Sequence, residues 1–395
     1  MSYTAHVVIG ANHGDEGKGH MVDDIIRTCY GQEKSIVVRY SGGAQAGHTV
    51  IDRDTNTSHV FKHIGAGWFA GADTWLADEF IVNPMLFNPE YNDLITKTSH
   101  KPHIMISPNA RVTTPYDILM NLINEEQRGG VGKHGSCGCG IHETMMRHEE
   151  IEFTWKMASK LSDDDIRLKL DAIRDYHKDR CNRLYGFVDE AFDQKIDLQY
   201  IDDIRNMLYV TYVVDFPIIS RDYRNFVFEG SQGLLLDEKY GTFPHLTPAS
   251  VGLEVPMEYV EAMATTANPV QVYSHYVSRV YMTRHGNGPM EYECSPETLN
   301  VNHPTETNVF NDNQGKFRYG ILDVDAMVTR SQVDSLCAIP VVRRNNGLID
   351  VKGGPIFTCQ DHIDAKFVPV IIKGKRFNLN PYLIQEYVNC HYLKS

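Results

Sequence analysis

The residues best suited to chemistry occupy one glycine-rich turn near the start of the chain, from Gly10 to Gly19. An apolar run, His6 to Ile9, leads into this turn, and a helical pattern follows it. Such a turn binds phosphate because backbone N–H groups and a helix N-terminus converge on the anion. Lys18 adds a positive charge at the same place. We therefore predict that the turn holds a phosphate group.

The turn differs from a Walker A motif at two positions. Asn12 stands where that motif has its first glycine, and Gly19 stands where it has Ser or Thr. The turn also contains a carboxylate, Asp15, which would repel a bound anion. This residue is predicted to bind a cation, to take a proton, or to do both. The alternative is that Asp15 only caps a helix starting near Glu16.

A second glycine-rich loop follows the next predicted strand, residues 36–40. The loop runs from Ser41 to Thr49 and contains His48. In α/β proteins, loops that follow neighbouring parallel strands meet at one edge of the sheet, where binding sites form. Histidine suits general acid or base catalysis because its ordinary pKa lies near neutrality. A structural role, in which His48 only bonds the loop, is the alternative.

A third glycine-rich segment extends from Arg128 to Gly140 and carries two cations. Its composition predicts a loop able to close on an anion. A rival interpretation is a metal site built from nearby cysteines and histidines, namely His134, Cys137, Cys139, His142 and His148. Their spacing is poor for zinc, because Cys-x-Cys is tighter than the usual pair and no second pair follows.

Composition limits the class of protein and its partners. A chain of 395 residues with 42% hydrophobic residues can bury a large core. A net charge of −13 argues against polymeric nucleic acid and anionic membranes as partners. The sequence has no signal-peptide pattern and no apolar stretch of membrane-spanning length. The eight scattered cysteines are then expected to be reduced thiols in a cytoplasmic protein.

Beyond these loops the pattern is that of one large α/β domain over residues 1–395. Residues 155–215 are charged and helical, which predicts a helical arm, with Ser162 as a helix cap. Strands are predicted at 277–284 and 367–372, and a final helix at 381–392. A polar stretch, 302–318, ends with cations and suits a carboxylate ligand.

Several separate segments together resemble the adenylosuccinate synthetase family. They occur in the family's order and span most of the chain. The matching segments are Gly14–Gly19, Val38–Tyr40 with Gly47–Thr49, Phe228–Gly233 with Gly241–Pro244, and Tyr319–Asp323.

The resemblance implies a fold, an assembly and a reaction. The fold is a mixed, mostly parallel central sheet flanked by helices, a P-loop-like adenylosuccinate synthetase fold, and the assembly is a homodimer. The reaction is that of a C–N ligase which joins L-aspartate to a 6-oxopurine nucleotide, using a nucleoside triphosphate and Mg²⁺. Asp15 matches the family's base, which also binds Mg²⁺ with Gly47. His48 matches the residue that stabilises the transferring phosphoryl group, and Lys18 is a third catalytic residue.

The resemblance also implies ligand contacts. Residues expected to contact nucleotide or phosphate are Asn12, Gly14, Glu16, Gly17, Gly19, Gln45, Gly47, Thr49, Ser136, Cys137, Arg147, Gln232, Thr247 and Asp361. Residues expected to contact L-aspartate are Thr307, Asn308, Lys316 and Arg318.

Departures from the family pattern indicate which branch the chain resembles. Thr358–Asp361 lacks the lysine that selects GTP, so ATP or dATP becomes the expected donor. Ser136–Gly140 replaces Thr-Thr-Gly-Arg-Gly, and Thr307–Asn311 replaces an arginine-rich loop. Gln45 stands where Asn is usual. These changes are similar to the bacteriophage branch that converts dGMP to N6-succino-2-amino-2′-deoxyadenylate for diaminopurine DNA.

Two alternatives remain open at this point. Many members of the phage branch carry Ser where this chain has Asp15, which favours ordinary GTP-dependent synthesis of adenylosuccinate from IMP. A non-catalytic nucleotide-binding regulator is the other alternative, although the chain retains both Asp15 and His48.

Overall fold

The computed structural model describes residues 2–30, 33–129, 135–194, 196–299, 315–343, 348–357 and 367–392, with the backbone alone over 338–343. Its centre is an eight-stranded sheet in which every pair of neighbouring strands is parallel. The strands, in spatial order, are β14 (Ile349–Phe357), β9 (Val270–Ser278), β1 (Tyr3–Gly10), β8 (Asn225–Gly233), β2 (Ser35–Arg39), β5 (Asp73–Leu76), β6 (Ile104–Ile106) and β7 (Tyr212–Val213).

Antiparallel pairing is found in small sheets outside the central one. They are formed by β3 (His48–Ile51) with β4 (Ser58–Phe61), by β10 (Met282–Arg284) with β12 (Arg318–Gly320) and β11 (Glu293–Cys294), and by β15 (Val368–Ile372) with β16 (Lys375–Leu379). A short strand, β13 (Leu322–Asp323), joins β15 in parallel. The prediction of a mixed, mostly parallel α/β fold is confirmed.

Helices cover the central sheet. They are α1 (Lys18–Ile25), α2 (Pro84–Thr98), α3 (Pro115–Arg128), α4 (Ile141–Glu150), α5 (Trp155–Lys160), α6 (Asp163–Tyr185), α7 (Asp197–Val210), α8 (Phe216–Asp222), α9 (Glu254–Met263), α10 (Pro296–Leu299), α11 (Val324–Arg343) and α12 (Pro381–Tyr392). Within the described ranges, none of these helices is long and apolar enough to cross a bilayer.

Side chains of β1 alternate between two hydrophobic cores. Val7 and Ile9 belong to one core and Val8 to the other, because successive residues of a strand face opposite sides. Both faces of the sheet are thus buried, as expected for parallel strands.

Several local predictions agree with the structure. Ser162 caps α6 by accepting a bond from the backbone N–H of Asp165 at 3.1 Å. The predicted strand at 367–372 and helix at 381–392 are β15 and α12. The prediction of one strand over 277–284 is wrong, because β9 ends at Ser278 and β10 begins at Met282.

The carboxyl ends of the parallel strands determine where chemistry can occur. Strands β1, β2, β8 and β9 all point the same way, so the segments after them lie at one sheet edge. This edge receives the glycine turn after Gly10, the loop after Arg39 and the segment after Ser278. Such an edge is where doubly wound α/β proteins bind ligands.

A buried histidine pair generates a prediction about acid stability. The Nδ1 atom of His6 lies 2.9 Å from the Nε2 atom of His275. Burial lowers the pKa of His6 to about 4 and that of His275 to about 3. Both rings are therefore neutral in the fold but take up protons in the unfolded chain below a pH of about 6.5.

We expect stability to be full above a pH of about 6.5 and to decrease as the pH falls toward 4, because the unfolded chain binds more protons. Each histidine should contribute a loss on the order of 2 kcal/mol between about pH 7 and 5, so the pair should contribute about 4 kcal/mol. Urea unfolding across this pH range measures the loss of unfolding free energy. In His275→Gln the free energy of unfolding should fall less steeply with decreasing pH. Equal slopes in the variant and the parent chain would contradict the assignment.

Candidate active site

The glycine turn after β1 forms the floor of the site. Gly14 and Gly17 adopt left-handed conformations, with φ values of 115° and 83°. Helix α1 begins at Lys18, and its N-cap is Gly17, with no side-chain cap. The alternative that Asp15 caps this helix is therefore wrong. The half-buried Asp15 carboxylate is not used as a helix cap and stays within the turn.

Lys18 is held inside the turn. Its ammonium group is buried and donates a hydrogen bond to the backbone oxygen of Gly14. Burial lowers the pKa of Lys18, and the neighbouring carboxylates of Glu16 and Asp15 oppose this shift. The structure thus brings both predicted catalytic residues, Lys18 and Asp15, into one charge cluster.

Asn12 and Glu16 brace the turn from within. The Glu16 carboxylate accepts a bond from the backbone N–H of Asn12 at 3.0 Å, and burial raises the pKa of Glu16. The side chain of Asn12 donates to Ser278 at 2.9 Å and accepts from Arg330 at 2.8 Å. Both were predicted to contact nucleotide. In the structure their side chains hold the turn in shape, and their contact with nucleotide stays a prediction.

His48 stands at the start of β3 with its ring fixed from one side. Its Nδ1 atom is hydrogen-bonded to the carboxylate of Glu229 on β8. The other ring nitrogen, Nε2, is buried and has no hydrogen-bond partner among the described residues. Burial lowers the pKa of His48 to about 4, although Glu229 opposes the shift. The neutral ring therefore donates Nδ1–H to Glu229 and leaves Nε2 available.

Glu229 is in turn paired with Arg39, at the end of β2. The Arg39 Nη1 atom lies 3.7 Å from a Glu229 oxygen, and both side chains are fully buried. Burial alone would raise the pKa of Glu229, but Arg39 and His48 lower it. The second carboxylate oxygen accepts from the backbone N–H of Ala66 at 3.0 Å. Glu229 is therefore an ionised anchor for the His48 ring.

The sequence analysis gave Arg39 and Glu229 no role. A signal was present, since each is a single charged residue at the end of an apolar strand segment, Ile36–Arg39 and Phe226–Glu229. Charged residues are almost never fully buried unless they are paired. Two such strands, adjacent in a parallel sheet, could have been expected to pair these charges.

The second loop packs directly on the glycine turn. A Cβ atom on Gly19 would lie 2.6 Å from the Cβ of His48, so a side chain here would displace the histidine. This contact explains why the turn lacks the Ser or Thr of a Walker A motif. Next to His48, Gly47 is exposed and Thr49 is half-buried.

Two glutamines line the approach to the turn. A Cβ atom on Gly14 would lie 2.9 Å from the Gln232 side chain, so Gln232 packs against the turn. Gln45 is in the second loop, where a Cβ atom on Gly42 would collide with the Gln45 side-chain nitrogen. The structure thus places Gln232 against the glycine turn and Gln45 in the second loop, and both residues line one cleft.

A cleft of about 430 Å³ opens from this point. Its walls are the Gly135–Gly140 loop, the segment Phe243–Pro248 and the turn His285–Asn287. Five residues predicted to contact nucleotide line it: Gln45, Ser136, Cys137, Gln232 and Thr247. The cleft is large enough for a small ligand and mixes apolar and polar walls.

Three arginines from the second half of the chain hold the glycine turn, and the sequence analysis missed them. Arg279 donates to the backbone oxygen of Asp15 at 2.6 Å. Arg284 lies 3.1 Å from the ring of His13, and Arg330 bonds the Asn12 side chain. These arginines are more than 250 residues from the glycine turn in sequence, and only the order of the strands in the sheet brings them next to it.

The residues predicted to bind L-aspartate are only partly described. Thr307 and Asn308 lie outside the described residues, as does Asp361, which was predicted to contact nucleotide, and Lys316 is exposed. The Arg318 guanidinium pairs with the Glu293 carboxylate, its Nε 2.8 Å from one oxygen, and donates to the backbone oxygen of Gly288 at 2.8 Å. A ligand carboxylate at Arg318 would have to replace Glu293.

Arg147 lies in the protein interior, although it was predicted to contact nucleotide. Its side chain is fully buried and pairs with Asp117 at 2.9 Å. The same guanidinium donates to the backbone oxygens of Val112 and Ile151. His177, from α6, shares the Asp117 carboxylate at 2.9 Å. Because all its donor groups face protein atoms, Arg147 joins helices and does not reach the cleft of its own chain.

The rival zinc site finds no support where the chain is described. Across those residues, no group of three His, Cys, Asp or Glu side chains is placed to hold a metal ion. His134 lies outside the described residues. A magnesium ion needs less from the protein, because Mg²⁺ binds through one or two carboxylates together with substrate phosphates. The Asp15 carboxylate and the carbonyl of exposed Gly47 provide hard oxygen ligands of this kind.

Comparison with known proteins shows which protein family the chain is similar to. The sequence profile of the family described as adenylosuccinate synthetase matches residues 7–344. The adenylosuccinate synthetase of Nostoc punctiforme is 31% identical over 297 residues, covering 74% of this chain and 63% of that protein. That of Psychrobacter arcticus is 32% identical over 301 residues, covering 73% and 64%. The match therefore spans less than two thirds of the length of these relatives.

Two solved structures share the fold. The fully ligated adenylosuccinate synthetase from Plasmodium falciparum has a TM-score of 0.68 at 16% identity, covering 100% of this chain and 96% of that one. The succinoaminodeoxyadenylate synthetase of cyanophage S-2L, bound to dGMP and dATP as an energy donor, has a TM-score of 0.56 at 16% identity, covering 99% and 100%. At these identities the matches establish the fold.

The interior position of Arg147 generates a stability prediction. Arg147→Met leaves the Asp117 charge buried without its guanidinium partner, which costs about 3–5 kcal/mol. Urea unfolding should show this loss. The control is Arg128→Met, since Arg128 lines the cleft and its one-third exposed side chain pairs with Glu125 at 2.7 Å. This control should cost about 1 kcal/mol or less. A normal free energy of unfolding in Arg147→Met would contradict the assignment.

Proposed function

Because the chain belongs to the adenylosuccinate synthetase family, we propose that it joins L-aspartate to a 6-oxopurine nucleotide in two steps. In the first step the Asp15 carboxylate takes the N1 proton of the purine, and O6 attacks the γ-phosphorus of a nucleoside triphosphate. The nucleoside diphosphate leaves. In the second step the amine of L-aspartate attacks C6, and inorganic phosphate leaves with the former O6.

The observation that carries this proposal is the unpartnered Nε2 atom of His48, next to a glycine turn that contains a carboxylate. Phosphoryl transfer needs positioning and stabilisation of charge more than covalent catalysis. A buried imidazole whose other nitrogen is fixed by Glu229 is held in position for this role, and its Nε2 can donate to a phosphoryl oxygen once it has taken up a proton. Lys18 adds positive charge on the same side of the turn.

Magnesium fits this arrangement, with Asp15 and the Gly47 carbonyl as its protein ligands. When bound, Mg²⁺ neutralises charge on the triphosphate and on the transferred group. Asp15, Lys18 and the backbone N–H groups of the turn position the phosphates, while Gln45, Gln232 and Thr247 line the cleft for the acceptor nucleotide.

We take dGMP as the acceptor and ATP or dATP as the donor. This choice rests on the departures from the family pattern that resemble the phage branch. The cyanophage enzyme, bound to dGMP and dATP, shares the fold of this chain, as does the Plasmodium falciparum synthetase with a higher TM-score. The segment expected to select GTP lacks its lysine at Thr358–Asp361 and lies outside the described residues. The product would be N6-succino-2-amino-2′-deoxyadenylate. We also propose that the enzyme works as a homodimer in the cytoplasm.

Asp15 supports a second candidate, since many phage enzymes have Ser at this position. The candidate is ordinary adenylosuccinate synthesis from IMP with GTP. Incubating the protein with L-aspartate, Mg²⁺ and each pairing of IMP, GMP or dGMP with ATP, dATP or GTP separates the two. Product mass and absorbance identify the acceptor. A tenfold preference for GTP, about 1.4 kcal/mol, would favour the ordinary synthetase, and no turnover with any pairing would contradict both.

Replacing the carboxylate in the turn tests its role in proton transfer. Asp15→Asn should lower kcat by about 10²-fold or more, because a general base is lost, while nucleotide binding persists. Steady-state kinetics and calorimetric titration with dGMP measure the two effects. The control is Asp24→Asn on α1, whose carboxylate pairs with Arg53 at 2.6 Å on the surface. A variant at position 15 that keeps more than about a tenth of the rate would contradict this role.

The neutral state of His48 predicts proton uptake on donor binding. Its pKa of about 4 leaves the ring neutral at neutral pH, and the negative charge of a triphosphate beside Nε2 should raise that pKa. Binding of ATP near pH 7 should therefore take up a proton. Titration calorimetry in two buffers of different ionisation enthalpy counts it. His48→Asn should reduce the uptake and lower kcat, and unchanged uptake would contradict the proposal.

A further inference from the structure

Two cysteines lie in the loop that forms one wall of the cleft. Cys137 and Cys139 are separated by Gly138, and both are free, half-buried thiols. Cys137 lines the cleft directly. Neither thiol takes part in the two reaction steps proposed above, although the loop that contains both cysteines forms a wall of the cleft. The pair is therefore a cluster of nucleophilic groups without an assigned task.

The shape of the loop brings the two thiols together. Gly138 has a left-handed φ of 75°, and the chain bends there. The Cys139 thiol lies 3.9 Å from the backbone oxygen of Cys137, so its sulfur is directed back toward the residue that carries the other thiol. Residues two apart are within about 7 Å even in an extended chain, which meets the Cα separation of a disulfide once the chain bends.

Helix α3 anchors both ends of this loop. Ser136 donates to the side-chain oxygen of Asn121 at 2.9 Å, and the backbone N–H of Gly140 donates to the same oxygen at 3.2 Å. The backbone N–H of Gly135 donates to Glu125 at 3.1 Å. Residues 135, 136 and 140 are therefore fixed to α3, while residues 137–139 between them can change conformation.

The surroundings make the two thiols unequal. The neighbouring Cys139 thiol and burial raise the pKa of Cys137. The hydrogen bond from Cys137 and the positive charge of Lys62 lower the pKa of Cys139, against the effect of burial. The thiolate is the nucleophile in disulfide exchange. Cys139 is thus suited to attack first and Cys137 to attack second.

We propose that Cys137 and Cys139 are a reactive dithiol that closes to a disulfide in the cleft wall, and that closure weakens binding of the acceptor nucleotide. The second half of this statement rests on the proposed function, since it requires that the loop contacts the nucleotide. The first half concerns the loop chemistry alone.

The reaction partner is a small-molecule disulfide. The Cys139 thiolate attacks one of its sulfur atoms, forming a mixed disulfide and releasing one small thiolate. Cys137 then loses its proton to solvent and attacks the Cys139 sulfur, which releases the second small thiolate. Two protein thiols are oxidised to one disulfide, and one small disulfide is reduced to two thiols.

Closure should alter the wall that a nucleotide would meet. A disulfide has its own preferred dihedral angle and sulfur separation, so the Cys137 side chain must turn from the cleft toward Cys139. The backbone N–H of Gly138, which donates to Ser136 at 3.2 Å, lies between the two linked residues. The bond between Gly138 and Ser136 would therefore change when the disulfide forms.

The loop chemistry is tested on the full chain with glutathione disulfide as the probe. Trypsin releases residues 134–147 as one peptide that contains both cysteines and no other. We expect this peptide to lose two hydrogen atoms after oxidation and to regain them with dithiothreitol. Cys139→Ser and Cys137→Ser should each leave a stable glutathione adduct or a free thiol, whereas Cys294→Ser, a half-buried control, should still form the disulfide.

Binding of dGMP to the reduced and oxidised forms tests whether disulfide closure weakens binding of the acceptor nucleotide. Calorimetry should show affinity at least about tenfold weaker after oxidation, restored by reduction. The double variant Cys137→Ser/Cys139→Ser, which can form neither the disulfide nor a glutathione adduct in this loop, should show no such change between its treated and untreated forms. A peptide that keeps both hydrogens under glutathione disulfide overturns the dithiol, and equal affinities of the two forms overturn its effect on binding. If the reduced protein does not bind dGMP, the proposed function fails, while the peptide result still decides the dithiol.

Discussion

One buried carboxylate, that of Glu229, connects the parts of the site. It pairs with Arg39 on the neighbouring strand, accepts from the backbone of Ala66 and fixes the ring of His48. Removing such charges from water costs several kcal/mol for each ion, and the cost is offset only when the partners are complete. The position of His48 is therefore tied to the strand pairing itself. An error in register would leave an unpaired charge in the core.

The parallel sheet provides the second constraint. Because β1, β2, β8 and β9 end at the same edge, four segments distant in sequence must share a small volume there. Close approach is possible where side chains are absent, as at Gly19 against His48 and at Gly14 against Gln232. The arginines of the second half of the chain then hold this edge through backbone oxygens and side chains of the turn. The conformation of the glycine turn is thus fixed by segments that follow several different strands of the sheet.

Local patterns in the sequence were sufficient for the fold class, for the glycine turn before α1 and for many helices and strands. Glycines with a following helix, apolar strand runs and the Ser162 cap act within a few residues, so they can be recognised without the rest of the chain. The pairing of Asp15 and Lys18 in one turn belongs to this class. The adjacency of the His48 loop was also predictable, because it depends only on two parallel strands ending at one edge.

Other features depend on contacts between distant residues, and the sequence alone left them open or suggested another answer. Arg147 was expected at the ligand, yet tertiary packing buries it against Asp117 and His177. The bonds by which Asn12 and Glu16 brace the turn were likewise not predicted from the sequence. The sequence by itself determined which residues could do chemistry, since side-chain type and short spacing are local properties. Only the tertiary structure decided which of them face the cleft, because burial and ion pairing are set by the order of the strands.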